Sequence, residues 1–191
     1  MNRRGSSGMF SRLIYQDASL EIRFPNELEA PLHFDAIHTS IREIGVWESW
    51  CSENYCLEDS RQYLLDSYVK RQRGQEYRFC LYELDSGRIV GSVAINRIVP
   101  EYKTANIGYW IRSDSTGRSL AVTAVKAIAR FAFDELGMTR LEIVAMSGNL
   151  RSCRVAEKSG AVSEGLHRNR LYLRGQPRDA WVYSLIPGDL P

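Results

Sequence analysis

The sequence predicts an α/β fold, and three observations carry that prediction. Segments of helical and of alternating apolar period interleave in the order β-α-α-β-β-β-α-β-α-β-β. The middle of the chain, from 77 to 112, reads as consecutive strands joined by short turns. The part from 104 to 145 reads strand, helix, strand, the unit that crosses over a sheet.

Taken in order, Leu20 to Phe24 alternates apolar and polar residues, and Pro25-Asn26 ends that strand. Ala30 to Ile44 carries Leu32, Ala36, Ile37 and Ile41 on one face, a helix that Gly45 stops; His33 and His38 are expected on its solvent side. Glu58 to Arg73 forms another helix with a charged outer face. Tyr77 to Leu84 and Ile89 to Val99 are strands joined by a hairpin turn at Asp85-Ser86-Gly87, and Pro100 breaks the second. Thr104 to Arg112 is the next strand. The helix after it places Ala121, Ala124, Val125, Ile128, Phe131, Ala132 and Leu136 on one face, with Lys126, Arg130 and Asp134 opposite, before Gly137. Leu141 to Ala145 is a short strand and Asn149 to Ser159 a compact helix. Val162 to Leu173 and Ala180 to Leu185 are strands joined by Arg174-Gly175-Gln176-Pro177. No repeat or linker divides the chain. Residues 13–188 are therefore expected to form one domain, behind a tail at 1–12 whose Gly, Ser and Arg content predicts disorder.

At 191 residues, 44% hydrophobic and 25% charged, the chain has the balance of an ordinary globular domain. A net charge of +2 is too mild to argue for nucleic acid, so no DNA partner is expected. Arg168, Arg170, Arg174 and Arg178 gather late in the chain, as a solvated hairpin face or a site for an acidic ligand. Cys51, Cys56, Cys80 and Cys153 form no C-x-x-C pair and show no zinc-like spacing with His. They read as reduced thiols of a cytoplasmic protein without a metal, Cys80 within the core. No apolar run is long enough to span a membrane, and no apolar region follows Arg3-Arg4, so neither membrane insertion nor a secretory signal is expected.

The stretch from Ile107 to Gly137 organises the chain. A β-branched and aromatic run (Ile107, Tyr109, Trp110, Ile111) leads through the small and polar residues 113–119 into a long helix. A strand that turns tightly into a helix leaves free N–H groups at the positive end of the helix dipole, where a phosphate binds well. The turn matches neither G-x-x-x-x-G-K-[ST] nor G-x-G-x-x-G. By itself it also reads as an ordinary strand–turn–helix corner.

Five pieces in a fixed order make a more specific pattern: Ile107-Gly-Tyr-Trp-Ile-Arg112, Gly117-Arg-Ser-Leu-Ala121, Phe131-Ala-Phe-Asp-Glu-Leu-Gly137, Asn149-Leu-Arg-Ser-Cys-Arg-Val-Ala-Glu-Lys-Ser-Gly160 and Gly175-Gln-Pro-Arg-Asp-Ala-Trp-Val-Tyr-Ser-Leu185. With them, the sequence resembles the GNAT superfamily of acetyl-CoA-dependent N-acetyltransferases. Within that superfamily it is similar to the RimJ/RimL type, named for N-terminal acetylation of ribosomal proteins. The likeness runs from about Ile14 to Leu185, and Trp47-Glu-Ser-Trp50 is similar to an aromatic segment of that branch.

The resemblance implies a mixed, mostly antiparallel central sheet flanked by helices, with strands splayed at a CoA cleft. It implies acetyl-CoA as acetyl donor and no metal. The pyrophosphate is expected on Gly117, Arg118, Ser119, Leu120 and Ala121, and the pantetheine arm beside Ile111 and Arg112, with Asn149 bonding it. Ser152 is the expected catalytic donor to the departing thiolate. Asn149 also reads as a helix N-cap, with Ser152 in the first turn. Trp47, Glu48, Trp50 and Tyr109 are expected at the acceptor, the tryptophans alternatively plugging the core. The family turn, Q/R-x-x-G-x-G/A, aligns with Thr116 to Ala121, so Ser119 stands where the family has glycine. Asn106 stands where many relatives have glutamate, and Leu171 where some carry a carboxylate. The base that takes the amine proton is therefore open among Glu48, Glu101 and Glu142, with His167 a further candidate. The acceptor implied is a protein or peptide N-terminus; a small amine (an antibiotic, amino sugar or polyamine) is the alternative, and a CoA-binding sensor with degraded catalysis another. A monomer or a homodimer fits equally.

Overall fold

In the computed structural model, which describes residues 13–190, one sheet takes up every strand. The expected tail at 1–12 lies outside the described residues. The strands are β1 (Leu13–Gln16), β2 (Leu20–Arg23), β3 (Tyr77–Glu83), β4 (Ile89–Val99), β5 (Thr104–Ile111), β6 (Arg140–Met146), β7 (Val162–Leu173) and β8 (Gln176–Leu185). Their order across the sheet is β1-β2-β3-β4-β5-β6-β8-β7, and β5–β6 is the parallel neighbour pair. The helices are α1 (Ala30–Thr39), α2 (Ile41–Gly45), α3 (Leu57–Gln72), α4 (Leu120–Asp134) and α5 (Leu150–Lys158). The sheet is mixed and mostly antiparallel, as the resemblance implied.

The α4 face holds the larger core. Ala124, Val125, Ile128, Ala129 and Ala132 are fully buried, and the alanines let the helix lie close to the sheet. Phe131 extends the contact outward, its ring 5.5 Å from Phe79 and 5.9 Å from Tyr77. Along β5 the alternation of an extended strand sends Ile107, Tyr109 and Ile111 into this core. Trp110 points to the other face, where it packs against two smaller clusters that include Ala36 and Cys80, and Ile37 and Cys51.

Several expectations change. A strand precedes Leu20, because Asp17 builds its own turn: its carboxylate accepts from the Ser19 and Leu20 N–H groups at 2.7 and 2.8 Å. The helix expected over Ala30 to Ile44 is two helices. Ser40 departs at φ −116°, its hydroxyl donating back to the Ala36 carbonyl at 2.9 Å and accepting the Ser113 N–H at 2.9 Å. The face of α1 is rotated from the expected one: His33, Ala36 and Ile37 are buried and Leu32 is exposed, so His33 is not a surface residue. β8 begins at Gln176, and its first residues pair with β7 alone, since β6 joins at Ala180. The hairpin therefore projects past the sheet, and Arg174 at its tip donates to the Gly45 carbonyl at the end of α2.

Gly45 holds that corner by size. A Cβ there would lie 2.7 Å from the Cys51 carbonyl oxygen. Gly45→Ala is expected to destabilise the protein by about 1–3 kcal/mol, through overpacking against backbone, and urea unfolding of the two proteins measures it. Unchanged stability would show that the 46–51 loop adapts freely.

Candidate active site

The site begins where two strands part. β5 and β6 share the register pairs Thr104–Arg140, Ala105–Leu141 and Asn106–Glu142, and no pair after them. Beyond Asn106, β5 stays with β4 as far as Gly91–Ile111, and β6 stays with β8 as far as Met146–Ala180. The Arg112 N–H donates to the Val90 carbonyl at 2.9 Å. By the alternation of an antiparallel ladder, the even-numbered residues of β5 address β4, and the N–H groups of Tyr109 and Ile111 face the opening.

At one end of the opening lies the start of α4. Gly117 has φ +81° and Ser119 φ +60°, so the chain makes two left-handed turns before Leu120. Ser119 caps the helix without a side-chain hydrogen bond, and no acidic residue occupies the first turn. The first N–H groups of α4 thus stay open to an anion. Leu120 and Ala121 bury their side chains and offer backbone only. Arg118 is engaged with Glu83 at 2.6 Å. Arg88 also pairs with Glu83, at 2.9 Å, and the Ser86 hydroxyl with the two cations holds the Glu83 pKa down to about 2. Arg112 is wholly engaged within the chain: its carbonyl accepts from Ser115, and its buried guanidinium holds Asp35 at 2.5 Å and Asp114 at 3.1 Å. Of the Ile111–Arg112 pair, Ile111 is the one with backbone facing the opening.

On the other flank, Asn149 caps α5, its Oδ1 accepting the Ser152 N–H at 3.1 Å. The Ser152 hydroxyl lies 3.0 Å from the Tyr109 hydroxyl, which also donates to the Ser152 carbonyl at 3.1 Å. Burial pushes the Tyr109 pKa up to about 12, against a smaller lowering by Ser152. Two expected site residues from distant parts of the sequence thus meet in the gap.

On the α1–α3 side of the sheet, a cavity of about 750 Å³ opens over β4 and β5. Ser92, Ala94 and Gly108 form a floor of small residues. Glu48 and Trp50 line it, as do Tyr109 and Trp110; Trp47 does not. Glu48 accepts from the Trp50 indole N–H at 3.1 Å, and desolvation raises its pKa. Glu142, another candidate base, is held by Arg140 at 3.1 Å and Arg170 at 3.2 Å. Glu101 and His167 are exposed. Among the described residues no group of three or more His, Cys, Asp or Glu is placed to hold a metal, and no helix is long and apolar enough to cross a membrane.

The sequence reading missed the cavity's far wall. Asp59, Tyr63 and Asp66 of α3 line it. Their spacing of four and three puts them on one helix face, a signal present in the sequence. His33 lines it too. Its ring stacks on Tyr63 at 4.8 Å and its Nδ1 lies 3.1 Å from the Ser60 hydroxyl, while Nε2 is buried without a partner.

Comparison with known proteins agrees with this arrangement. The family profile described as the acetyltransferase (GNAT) domain matches residues 20–162. The chain is similar to a Bacillus subtilis (strain 168) protein named probable N-acetyltransferase YjcK, 29% identical over 136 residues, or 71% of this chain and 75% of that one. It is similar to the ribosomal-protein-serine acetyltransferase of Escherichia coli (strain K12), 28% identical over 129 residues, or 68% and 71% of the two chains. Its fold matches that of the microcin C7 self-immunity acetyltransferase MccE, solved with acetyl-CoA and AMP, with a TM-score of 0.82 at 21% identity, over 89% of this chain and 93% of that one.

Two outcomes follow from this geometry. A non-glycine residue in the left-handed region costs about 1–2 kcal/mol, and Ser119 makes no cap bond that would offset it. Ser119→Gly is therefore expected to raise stability by about 1 kcal/mol, glycine's greater chain entropy taking part of the gain. Acetyl-CoA affinity should be equal or better; tenfold weaker binding by calorimetry would make the hydroxyl a required phosphate donor.

Burial, with Arg78 nearby, pushes His33 down to about 4 from an ordinary 6.5. Between those values the unfolded chain binds the proton and the folded chain does not, so stability present above 6.5 is lost as pH falls toward 4. The loss should be about 2 kcal/mol between pH 7.5 and pH 5. Urea unfolding at both pH values, on the protein and on His33→Phe, isolates it, and equal losses in the two would rule His33 out as the cause.

Proposed function

The chain belongs to the acetyltransferase (GNAT) domain family, and on that premise we propose that it acetylates the N-terminal amino group of a protein or peptide in the cytoplasm. The observation that carries this reading is the fork between β5 and β6, with an open helix N-terminus at one end and the Tyr109–Ser152 pair in the gap. The relative named ribosomal-protein-serine acetyltransferase supports the choice of acceptor.

The residues at the fork fit acetyl-CoA, which supplies the acetyl group and a thiolate leaving group. The uncapped start of α4, from Gly117 through Arg118, Ser119 and Leu120 to Ala121, suits its pyrophosphate. The free backbone of Ile111 and the amide of Asn149 suit its pantetheine. Arg112 braces the turn between them. The Tyr109 and Ile111 N–H groups stand ready to donate to an oxyanion in the gap. Glu48, its pKa raised by desolvation, is the group best placed on the acceptor side to take the proton an attacking amine must lose. The amine nitrogen forms the new C–N bond as the C–S bond breaks, and sulfur leaves with the electron pair. Ser152 donates a hydrogen bond to that sulfur and keeps its proton; the thiolate takes up in the end the equivalent of the proton that the amine gave up. Tyr109, protonated at neutral pH, donates its one proton to the Ser152 carbonyl, so the Ser152 O–H rests on the Tyr109 oxygen and turns from it to reach the sulfur. Trp50 walls the acceptor side, and the half-buried Trp47 does not line it.

Thiol release with a panel of N-terminal peptides and small amines tests the acceptor, since turnover confined to small amines would replace the peptide reading. Ser152→Ala tests the chemistry. The α5 cap uses the backbone N–H of residue 152, so the variant keeps it. Turnover is expected to fall by about ten- to a thousandfold, the loss of one transition-state donor. Acetyl-CoA affinity should stay within a few fold, because the interaction strengthens only as charge develops on sulfur. Normal kinetics in the folded variant would remove Ser152 from the mechanism.

A further inference from the structure

Accepting an amine explains the cavity's position over β4 and β5 but not its charge. Glu48, Asp59, Asp66 and Glu76 all line it. Glu76 is matched by Lys70 at 3.0 Å and Arg78 at 2.8 Å. Among the described residues, no ion pair holds Glu48, Asp59 or Asp66. Arg97 influences Glu48 and Arg78 influences Asp66, each through space rather than by contact. Asp59 uses one oxygen to cap α3 through the Cys56 N–H at 2.7 Å, and Asp66 takes the Gln62 amide at 2.8 Å. Each keeps acceptor capacity facing the cavity's space. Between them on the same helix face stands Tyr63, whose ring is already taken by the Arg78 guanidinium at 4.2 Å and the His33 ring at 4.8 Å; Tyr55 and Trp50 also line the space, aromatic surfaces that a cation favours.

His33 is an independent sign of a polar ligand. It is 1% exposed, it lines this cavity, and its Nε2 has no partner. In the tautomer with Nδ1–H donating to Ser60, whose hydroxyl lies 3.0 Å from Tyr55, Nε2 presents a bare lone pair; in the other it presents an N–H. An ammonium or guanidinium that reaches it satisfies the first form.

We propose that this cavity selects acceptors carrying a second positive charge close to the reacting amine, such as a lysine or arginine early in a peptide, held by Asp59 and Asp66. The inference rests on the acetyltransferase reading above and narrows its acceptor. A neutral or acidic residue at the same place leaves these carboxylates unpaired or opposed, so the preference is for binding and appears in KM.

The test uses acetyl-CoA with the peptides Ser-Lys-Ala-Ala and Ser-Glu-Ala-Ala, and with spermidine beside propylamine. The lysine peptide is expected to show a kcat/KM at least about tenfold above the glutamate peptide, carried by KM and shrinking as salt is raised. The double variant Asp59→Asn, Asp66→Asn keeps the α3 cap and the shape of the wall, and should bring that ratio to within about threefold. Unfolding and acetyl-CoA titration of the same preparation confirm that it folds. Equal turnover of the two peptides by the parent protein overturns the selection and leaves N-terminal acetylation standing. Turnover of spermidine well above propylamine, with neither peptide turned over, supports the selection and overturns the peptide acceptor. No turnover with any of the four overturns both.

Discussion

Everything at the candidate site depends on the length of the β5–β6 contact. Parallel pairing is slightly weaker per residue than antiparallel pairing, and each of these strands has a longer antiparallel partner on its other side. β5 follows β4 to Ile111, and β6 follows β8 through Met146. The twists of the two half-sheets diverge from the point where the crossover through α4 ties them. There the Thr139 N–H bonds the Lys103 carbonyl at 2.9 Å. The fork itself is polar: Asn106 donates to Asn96 at 2.9 Å, and Glu142 sits between two arginines. Backbone donors facing a gap must find water or a ligand, so the fold creates a demand there that an extended amide-bearing chain can meet.

The two sides of that gap are tied to the same first helix. α1 reaches the donor end through Asp35 on Arg112 and through Ser40, the residue after its end, on the Ser113 N–H. It reaches the acceptor side through His33, whose ring packs between Tyr63 and Trp110. Tyr109 closes the circuit within the sheet, lining the acceptor cavity while its hydroxyl touches Ser152 on the other flank. Placing an amine against a thioester demands that these elements hold their relative positions to a fraction of an ångström. Charge-assisted bonds such as that from the buried Arg112 guanidinium to Asp35 suit that demand better than loop contacts do.

Much of this was legible in the sequence, for identifiable reasons. The α4 face was readable because alanine and β-branched residues recur with a helical period, and the turn before it because Gly117 and its polar neighbours break that period. Strand β1 was not readable: at four residues it shows too little alternation, and its turn is made by the Asp17 side chain rather than by glycine or proline. The break at Ser40 was hidden because a serine in a helical pattern is unremarkable until its hydroxyl finds two backbone partners. Ser152 and Asn149 could be picked out only through family likeness; that Tyr109 meets them depends on the fork, which no local pattern encodes. His33 was assigned to the wrong face because a titratable residue reads as solvent-facing unless its partners on another helix, here Ser60 and Tyr63 of α3, are known.

The formal net charge of +2 conceals a segregation that matters more than the total. Arg88 and Arg118 stand beside the start of α4 and share Glu83, so this end of the site combines two held cations with open helix N–H groups. The acceptor cavity on the far side of the sheet carries carboxylates without ion-pair partners. A ligand rich in phosphate is drawn to the first and repelled by the second, and an ammonium the reverse. In a reaction that joins an anionic donor to a cationic acceptor across one sheet, that arrangement sorts the substrates before they touch. On the proposed reading, the product would rebind less strongly than the acceptor, since acetylation removes the charge on the nitrogen that the acidic side of the fork attracts.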